Sequence, residues 1–190
     1  MRAAVLHQPG KPLEVREVTP RKPGPHEPVV VGHEAAGTVA EVGSEVTHLR
    51  SGDRVIVTPI TSCGRCASCV RGEPYLRATY NATDTWPVAR ELGDGLVARG
   101  WRGLGTFADR ALLREQSVVR VTTDLPSEQL AVIGCAVMTG LGPAVNTAGV
   151  RPGDTVVVVG AGGIGLSAIQ GARMTRSLPC RTSPAVGQTT

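Results

Sequence analysis

Three cysteines lie close together in the short segment "CGRCASC", as Cys63, Cys66 and Cys69. The two successive C-x-x-C spacings place three thiolates in one loop, which is what a tetrahedral structural zinc site requires. The alternative is a chance cluster of three unpaired thiols. A fourth thiolate would complete such a site, but the next cysteine in the chain is Cys135. The segment therefore predicts a structural zinc site that lacks one of its usual ligands.

A glycine-rich turn follows a run of valines in "VVVVGAGGIGL". Gly160, Gly162 and Gly165 have the G-x-G-x-x-G spacing between a predicted strand and a predicted helix. Glycines at these positions permit a tight turn, close backbone approach to a pyrophosphate and close packing of the helix on the strand. The amides of Gly163 and Ile164, at the helix N-terminus, are donors for the phosphates. The alternative is a glycine-rich turn without a ligand, and the flanking elements favour the dinucleotide site.

A histidine and a glutamate interrupt the apolar run "VVVGHEAAGTVAEVG" as His33 and Glu34. One interpretation is a metal ligand with a neighbouring carboxylate. The other is a histidine whose ring nitrogens are satisfied by backbone groups. "GHE" alone is too short to distinguish the two interpretations.

Short β-strands are predicted to position the histidine and the cysteines. Residues 1–125 contain several short apolar runs separated by turns rich in Gly and Pro, which favours a barrel or a sandwich. Residues 70–104 show little periodicity and are predicted to be mostly loop. The predicted strands are "AAVL", "LEVREV", "AAGTVAEVG", "DRVIVTP", "GTFADRALL" and "SVVRV".

The pattern changes at residues 126–175. Pro126, Ser127 and Glu128 indicate a helix start, and the following residues have mixed helical spacing. "TVVVVG" predicts a strand buried on both faces of a parallel sheet, and "GIGLSAIQGARM" predicts the helix after it. Residues 176–190 have no period and are predicted to be a disordered tail.

Composition excludes several classes of function. Of 190 residues, 41% are hydrophobic and 19% charged, which is typical of a globular protein, and the net charge of +4 comes from dispersed arginines. No basic stripe with interleaved aromatics indicates nucleic-acid binding. No apolar run approaches the length of a membrane span, and the N-terminus lacks a signal-peptide core. We therefore expect a cytoplasmic protein with neither a membrane nor a nucleic-acid partner.

The ordered series of motifs resembles the zinc-dependent medium-chain alcohol dehydrogenases, and within them the long-chain branch with formaldehyde-type and nicotinoprotein-like members. The motifs are "GHEAAGTVAEVG", "GDRVIV", "CGRCASCVRGEP", "LGTFAD" and "GCAVMTGLGPAVNTAGVRPGDTVVVVGAGGIG". The resemblance implies a mixed α/β protein: a GroES-like β-barrel catalytic domain followed by the first β-α unit of a Rossmann fold. It implies oxidation of an alcohol to an aldehyde or ketone, or the reverse, with Zn²⁺ and NAD as cofactors.

The same resemblance assigns roles to individual residues. His33 is a catalytic zinc ligand with Glu34 as its flexible neighbour, and Cys135 is a second thiolate of that site. Thr139 lies near the nicotinamide. The three cysteines of the "CGRCASC" loop hold the structural zinc, and the glycine turn holds the pyrophosphate.

The chain departs from the family pattern at several points, which predicts weak or no activity. "GPHEP" runs directly into "VVVGHE", where the family has a further stretch with a zinc thiolate, a proton-relay hydroxyl and an aspartate. Arg77 occupies the position of the fourth structural-zinc cysteine. No Asp or Glu follows Asp154 to bind the ribose. The cofactor domain is expected to be truncated after one β-α unit, so the region that assembles family members into homo-oligomers is expected to be missing.

Two other functions remain open from the residues alone. One is a non-enzymatic remnant that binds a metal or a partner. The other is a zinc-free quinone reductase of the same superfamily, against which the cysteine cluster argues.

Overall fold

The computed structural model describes residues 1–5, 11–19, 33–77, 88–92, 97–99, 103–175 and 181–183. The predicted internal junction before His33, most of residues 78–102 and the last seven residues lie outside the described residues. The chain divides into two compact units, Met1–Ala131 and Val132–Thr190. The division falls after the first turn of the predicted linking helix.

Short strands dominate the first unit and helices the second. The strands in the described residues are β1 Arg2–Val5, β2 Glu14–Thr19, β3 Ala36–Thr38, β4 Arg54–Val57, β5 Val88–Leu92, β6 Val97–Arg99, β7 Val118–Arg120, β8 Val157–Val159 and β9 Arg181–Ser183. The α-helices are α1 Ala67–Val70, α2 Ser127–Ala131, α3 Met138–Gly142 and α4 Gly163–Met174. Single 3₁₀ turns span Pro74–Leu76 and Glu115–Ser117, and π-helical turns span Ile133–Val137 and Pro143–Thr147.

The first unit contains two antiparallel sheets. One has the strand order β1-β2-β5-β6, and the other has the order β3-β4-β7. In the second sheet Ala36 pairs with Ile56, and Val57 pairs with Val118. The central strand β4 therefore connects the segment after His33 to the strand that precedes α2.

The core of the first unit is built from small aliphatic side chains around β4. Val55 and Val57 are fully buried, and Leu104 and Leu113 pack in the same cluster. Burial of each such side chain contributes about 1.5–3 kcal/mol. With one phenylalanine in the whole chain, valine and leucine have to supply this core.

The predicted strand "GTFADRALL" is wrong as a strand, although its residues are buried. The segment makes isolated bridges only, at Ala108, which pairs with Ala3, and at Leu112. Backbone hydrogen bonds hold it beside β1: Ala4 N donates to Phe107 O (2.8 Å) and Asp109 N to Arg2 O (3.1 Å). Its leucines are buried in the core although their backbone is irregular. A run of apolar residues therefore forms a strand only where a neighbouring strand pairs with it.

The prediction that residues 70–104 are mostly loop is also wrong in part. β5 and β6 form an antiparallel pair within this range, and β5 extends the first sheet by pairing with β2. The Pro74–Leu76 turn lies in the same range. Pairing with a distant strand stabilises segments whose local pattern is weak.

The second unit contains a β-α-β arrangement. β8 is followed by α4, and β9 then pairs with β8 in parallel, with Val157 opposite Arg181 and Val159 opposite Ser183. Two expectations change. Residues 181–183 of the predicted disordered tail form a strand, and β8 is not buried on both faces, because Val157 and Val159 are 64% and 72% exposed.

Among the described residues, one helical stretch, Ser127–Thr147, is long and apolar enough by length and composition to cross a membrane. This differs from the expectation that no run approaches that length. The π-helical turns join α2 and α3 into one continuous helix. Its glycines and proline interrupt the run of apolar residues in the sequence but do not end the helix. Core helices of soluble proteins pass the same test. The length and composition of this helix are therefore not evidence for a membrane span.

Candidate functional site

Local backbone geometry holds the three cysteines of the "CGRCASC" loop, which we call the three-cysteine cluster. Gly64 has φ +68°, a left-handed conformation that turns the chain between Cys63 and Cys66. α1 begins after Cys66, and Val70 N donates to Cys66 O at 2.9 Å. This single turn of helix brings Cys69 back toward the two earlier cysteines.

The sulfur atoms lie at distances that suit zinc. All three Sγ atoms are within 4.8 Å of one another, and those of Cys63 and Cys69 are 3.8 Å apart. Zinc–sulfur bonds of about 2.3 Å in a tetrahedron place neighbouring sulfurs ~3.8 Å apart. The residues present thus fit three corners of a zinc tetrahedron. The structure brings together the three predicted structural-zinc ligands, and metal binding itself stays a prediction.

Hydrogen bonds give the three thiols different acidities. The pKa of Cys69 is lowered to about 6, chiefly because the Ser62 hydroxyl and then the Cys63 amide donate toward its sulfur. Backbone amides of Arg65 and Cys66 lower the pKa of Cys63. For Cys66 the Cys69 amide lowers the pKa, but its side-chain contact with Cys69, partial desolvation and Cys63 together raise it by more. Cys69 is therefore the readiest thiolate of the three-cysteine cluster.

The fourth corner has no protein donor among the described residues. Cys63, Cys66 and Cys69 are the complete set of His, Cys, Asp and Glu ligand atoms grouped there. Arg77, at the position where the resemblance implies a cysteine, donates from Nη1 to Thr61 Oγ1 at 3.4 Å. The carboxylate of Glu73 accepts a hydrogen bond from Arg71 Nε at 3.1 Å. Neither side chain completes the tetrahedron.

His33 and Glu34 are half-buried and lie directly before β3. The neighbouring Ala35 is buried, and its carbonyl oxygen accepts a hydrogen bond from Val57 N at 2.9 Å. This bond attaches the histidine segment to the central strand β4, whose Val55 and Val57 are fully buried.

Cys135 and Thr139 belong to the second unit. Cys135 is half-buried in the π-helical turn, where Val137 N donates to Val132 O at 3.1 Å, and Thr139 is exposed in α3. Single π-turns inside α-helices occur frequently at functional sites. Imidazole, carboxylate and thiolate are all zinc donors, but the catalytic site implied by the resemblance draws on both units, and it stays a prediction.

The glycine turn has the backbone conformation that a pyrophosphate site needs. Gly160 has φ +93°, and a Cβ at Gly165 would overlap the Gly160 carbonyl oxygen. A Cβ at Gly162 would meet no atom within 4 Å, so the space above it is open. Gly162 is the N-cap of α4 and provides no side-chain cap. The first amides of α4, including those of Gly163 and Ile164, therefore have no intrahelical partner and fit a phosphate group.

Close contact with α3 fixes the position of α4. A Cβ at Gly140 would lie 2.6 Å from Ser167 Cβ, and a Cβ at Gly171 would lie 3.0 Å from Leu141 Cα. Ser167 Oγ donates to Gly163 O at 2.7 Å inside this contact.

The sequence-based prediction missed the residues of this helix contact, and it also missed Ser62 beside the three-cysteine cluster. Small residues recurring in an apolar helix were the signal for the first group, and the hydroxyl preceding Cys63 was the signal for Ser62.

A family model for the alcohol dehydrogenase GroES-like domain matches residues 10–123, which is more than half of the chain. The predicted GroES-like α/β fold and the predicted family are both confirmed by this match and by the relatives that follow.

Two bacterial relatives match most of the chain. A Mycobacterium tuberculosis protein provisionally named alcohol dehydrogenase D is 36% identical, over 90% of this chain and 54% of its own length. An S-(hydroxymethyl)glutathione dehydrogenase from Synechocystis is 34% identical, over 93% of this chain and 56% of its own length. The chain thus spans about half the length of these relatives. The second alignment runs over 208 residues, more than the 190 of this chain, so the relative has internal residues that this chain lacks.

The solved structure of benzyl alcohol dehydrogenase from Acinetobacter calcoaceticus also resembles the chain. It superposes with a TM-score of 0.78 at 27% identity, over 95% of this chain and 57% of that protein.

Proposed function

Because the chain belongs to the family of alcohol dehydrogenases with a GroES-like domain, we propose that its site is built for hydride transfer between an alcohol and NAD. The proposal that NAD is the cofactor is supported by the glycine turn before α4. Open space over Gly162 lets a pyrophosphate approach the backbone, and the uncapped amides of α4 point their partial positive charge at it. The close α3–α4 contact keeps those amides fixed.

The metal part of the proposal rests on donor chemistry. His33 and Cys135 are the protein donors for a catalytic zinc, with Glu34 as a further carboxylate donor beside the histidine. When bound, zinc supplies Lewis-acid polarisation of the alcohol oxygen, and NAD accepts the hydride. The hydrogen bond between Val57 and Ala35 holds the histidine segment in place, and Thr139 lies on α3 for contact with the nicotinamide. The substrate class is a small alcohol or aldehyde, including the thiol adduct named for the Synechocystis relative.

We expect this chain to turn over weakly or not at all. No carboxylate follows Asp154 to bind the ribose hydroxyls, and Ser183 stands opposite Val159 in the strand pairing where such a residue is expected. Reactant positioning is worth roughly 7–11 kcal/mol of the barrier, and a cofactor whose ribose lacks a carboxylate partner loses part of it. We place the protein in the cytoplasm as a soluble member of the family, without a nucleic-acid or membrane partner.

A non-enzymatic metal-binding module is the second candidate. It is favoured by the three-cysteine cluster, which forms within the first unit without any contribution from the cofactor turn. A zinc-free quinone reductase is disfavoured by the same cluster.

One purified preparation distinguishes the candidates. The zinc-loaded chain is titrated with NADH by fluorescence and assayed for NADH formation with primary alcohols and S-(hydroxymethyl)glutathione. We expect measurable NADH binding and NADH formation at or just above the rate without protein, with any excess removed by His33→Ala and by Cys135→Ala. Cys180→Ser is the matched cysteine control and leaves the rate unchanged.

Turnover that survives both His33→Ala and Cys135→Ala contradicts the proposed zinc site. A chain that binds zinc but shows no NADH binding supports the non-enzymatic module instead.

A further inference from the structure

The three-cysteine cluster differs from a four-ligand zinc site in one structural respect. Its three sulfurs occupy tetrahedral corners, with Cys63 and Cys69 at the expected ~3.8 Å edge. The fourth corner has no donor from the described part of the chain. A zinc ion needs four ligands in a stable structural site, and among the residues that the structure describes the three cysteines leave one position for a ligand from solution.

Glu73 and Arg77, which follow the cysteines along the chain, have other partners. Glu73 accepts from Arg71 at 3.1 Å, an ion pair that keeps its carboxylate out of the group of ligand atoms. Arg77 donates to Thr61, and a guanidinium has no lone pair for a metal. Within the described ranges, neither side chain therefore competes for the fourth corner.

Access to the cluster is open on the side of its first turn. A Cβ at Gly64 would meet no atom within 4 Å, and Gly64 and Arg65 are exposed. The three cysteines themselves are half-buried. The exposed Gly64 and Arg65 leave this side of the cluster open to solvent.

Charge favours an anionic ligand. Three thiolates and one Zn²⁺ have a net charge of −1, while Arg65 lies within the loop and Arg77 follows it in the chain. Within the described residues, neither arginine forms an ion pair with a carboxylate. Their charges are available to an incoming anion, and a thiolate is among the soft ligands that suit zinc.

We propose that the three-cysteine cluster binds zinc with an exchangeable fourth position, and that this position takes a small-molecule thiol as its thiolate. In the exchange the thiol loses its proton to solvent, its sulfur replaces water on the metal, and no electrons are transferred. Arg77 thus converts a closed structural site into one that binds a ligand.

Cobalt substitution tests the proposal without any activity assay. Co²⁺ is bound to the full chain carrying Cys135→Ser and Cys180→Ser, so that no other cysteine of the chain supplies a ligand, and 2-mercaptoethanol is added. We expect the sulfur-to-cobalt charge-transfer absorbance to rise by about a third, as three thiolates become four around a tetrahedral metal. One proton is released per thiol bound.

Two variants at one position provide the control. Arg77→Cys supplies the fourth thiolate within the chain, so its starting spectrum is that of four thiolates and added thiol changes nothing. Arg77→Ala keeps the open position without the charge, and we expect its apparent thiol affinity to fall several-fold. The proposal is overturned if the parent spectrum does not respond to thiol, or if Arg77→Cys responds as strongly as the parent.

Discussion

The Sγ atoms of Cys63 and Cys69 lie 3.8 Å apart, although the two cysteines are separated by a full turn and the start of α1. This spacing needs the left-handed Gly64 on one side and the helical turn on the other. The backbone thus brings the three thiols of the three-cysteine cluster together, and the number of donors limits their affinity for a metal.

At most one zinc per chain is expected to bind, and only weakly, at the three-cysteine cluster. Arg77→Cys adds a direct ligand and should raise the affinity for zinc. We expect an increase larger than the factor of about 10–100 that outer-shell residues contribute. Competition with a chelator and elemental analysis measure both quantities. Arg77→Ser is the size-matched control and should leave the affinity close to that of the parent. Two firmly held zincs per chain would contradict the expectation.

Alkylation of the metal-free chain should reveal the acidity of Cys69. Its pKa of about 6 means that the thiolate forms as pH rises through 6, so the rate with iodoacetamide should reach half of its maximum near that pH. Ser62→Ala removes the largest cause of the lowered pKa and should move the midpoint to higher pH. Peptide mass spectrometry gives the rate at each cysteine. An unchanged midpoint in Ser62→Ala would show that the hydroxyl does not act on Cys69.

Two alanine substitutions in the glycine turn should separate folding from cofactor binding. Gly162→Ala enters open space and should leave the melting temperature unchanged while weakening NADH binding, because the new methyl group occupies the phosphate position. Gly165→Ala overlaps the Gly160 carbonyl and should destabilise the second unit by about 1–3 kcal/mol. Thermal melting and NADH fluorescence are measured on both. Equal effects of the two variants on stability would count against this geometry.

Helix packing in the second unit should respond oppositely to two neighbouring glycine changes. Gly140→Ala places a methyl group against Ser167 and the backbone of α4, which should cost about 1–3 kcal/mol. Gly142→Ala meets no atom within 4 Å in the same helix and should be neutral or stabilising by up to about 1 kcal/mol. Urea denaturation measures the difference. Similar stabilities would mean that α3 and α4 do not approach as closely as observed.

The exposed valines of β8 should promote association. Val157→Thr with Val159→Thr is expected to reduce binding of a hydrophobic dye and to reduce aggregation, without loss of melting temperature, because both side chains are exposed. The buried Val55→Thr is the contrast and should cost about 1–3 kcal/mol, since its hydroxyl enters the apolar core. Dye fluorescence and light scattering provide the measurement. A parent chain that stays monodisperse at high concentration would contradict the premise.

Local sequence pattern was sufficient where structure depends on near neighbours. The strand–turn–helix unit at Gly160–Gly165 and the extent of α4 follow from glycine spacing and helical periodicity, and α4 spans the predicted residues. The three cysteines could be assigned to one site because all lie within one loop. Neighbouring residues along the chain decide such features, so a single sequence contains the information.

Tertiary structure decided the features that depend on distant partners. β5 became a strand by pairing with β2, and β9 became one by pairing with β8, although neither has a strong pattern of its own. Leu104 and Leu113 joined the core from a segment that is not a strand. The pKa shifts of Cys66 and Cys69 are opposite because the two sulfurs have different neighbours within a few ångströms. Distances of the same size decide that Arg77 bonds to Thr61 and Glu73 to Arg71. Residue spacing along the chain determines which donors are present, but only the folded backbone determines where their atoms lie.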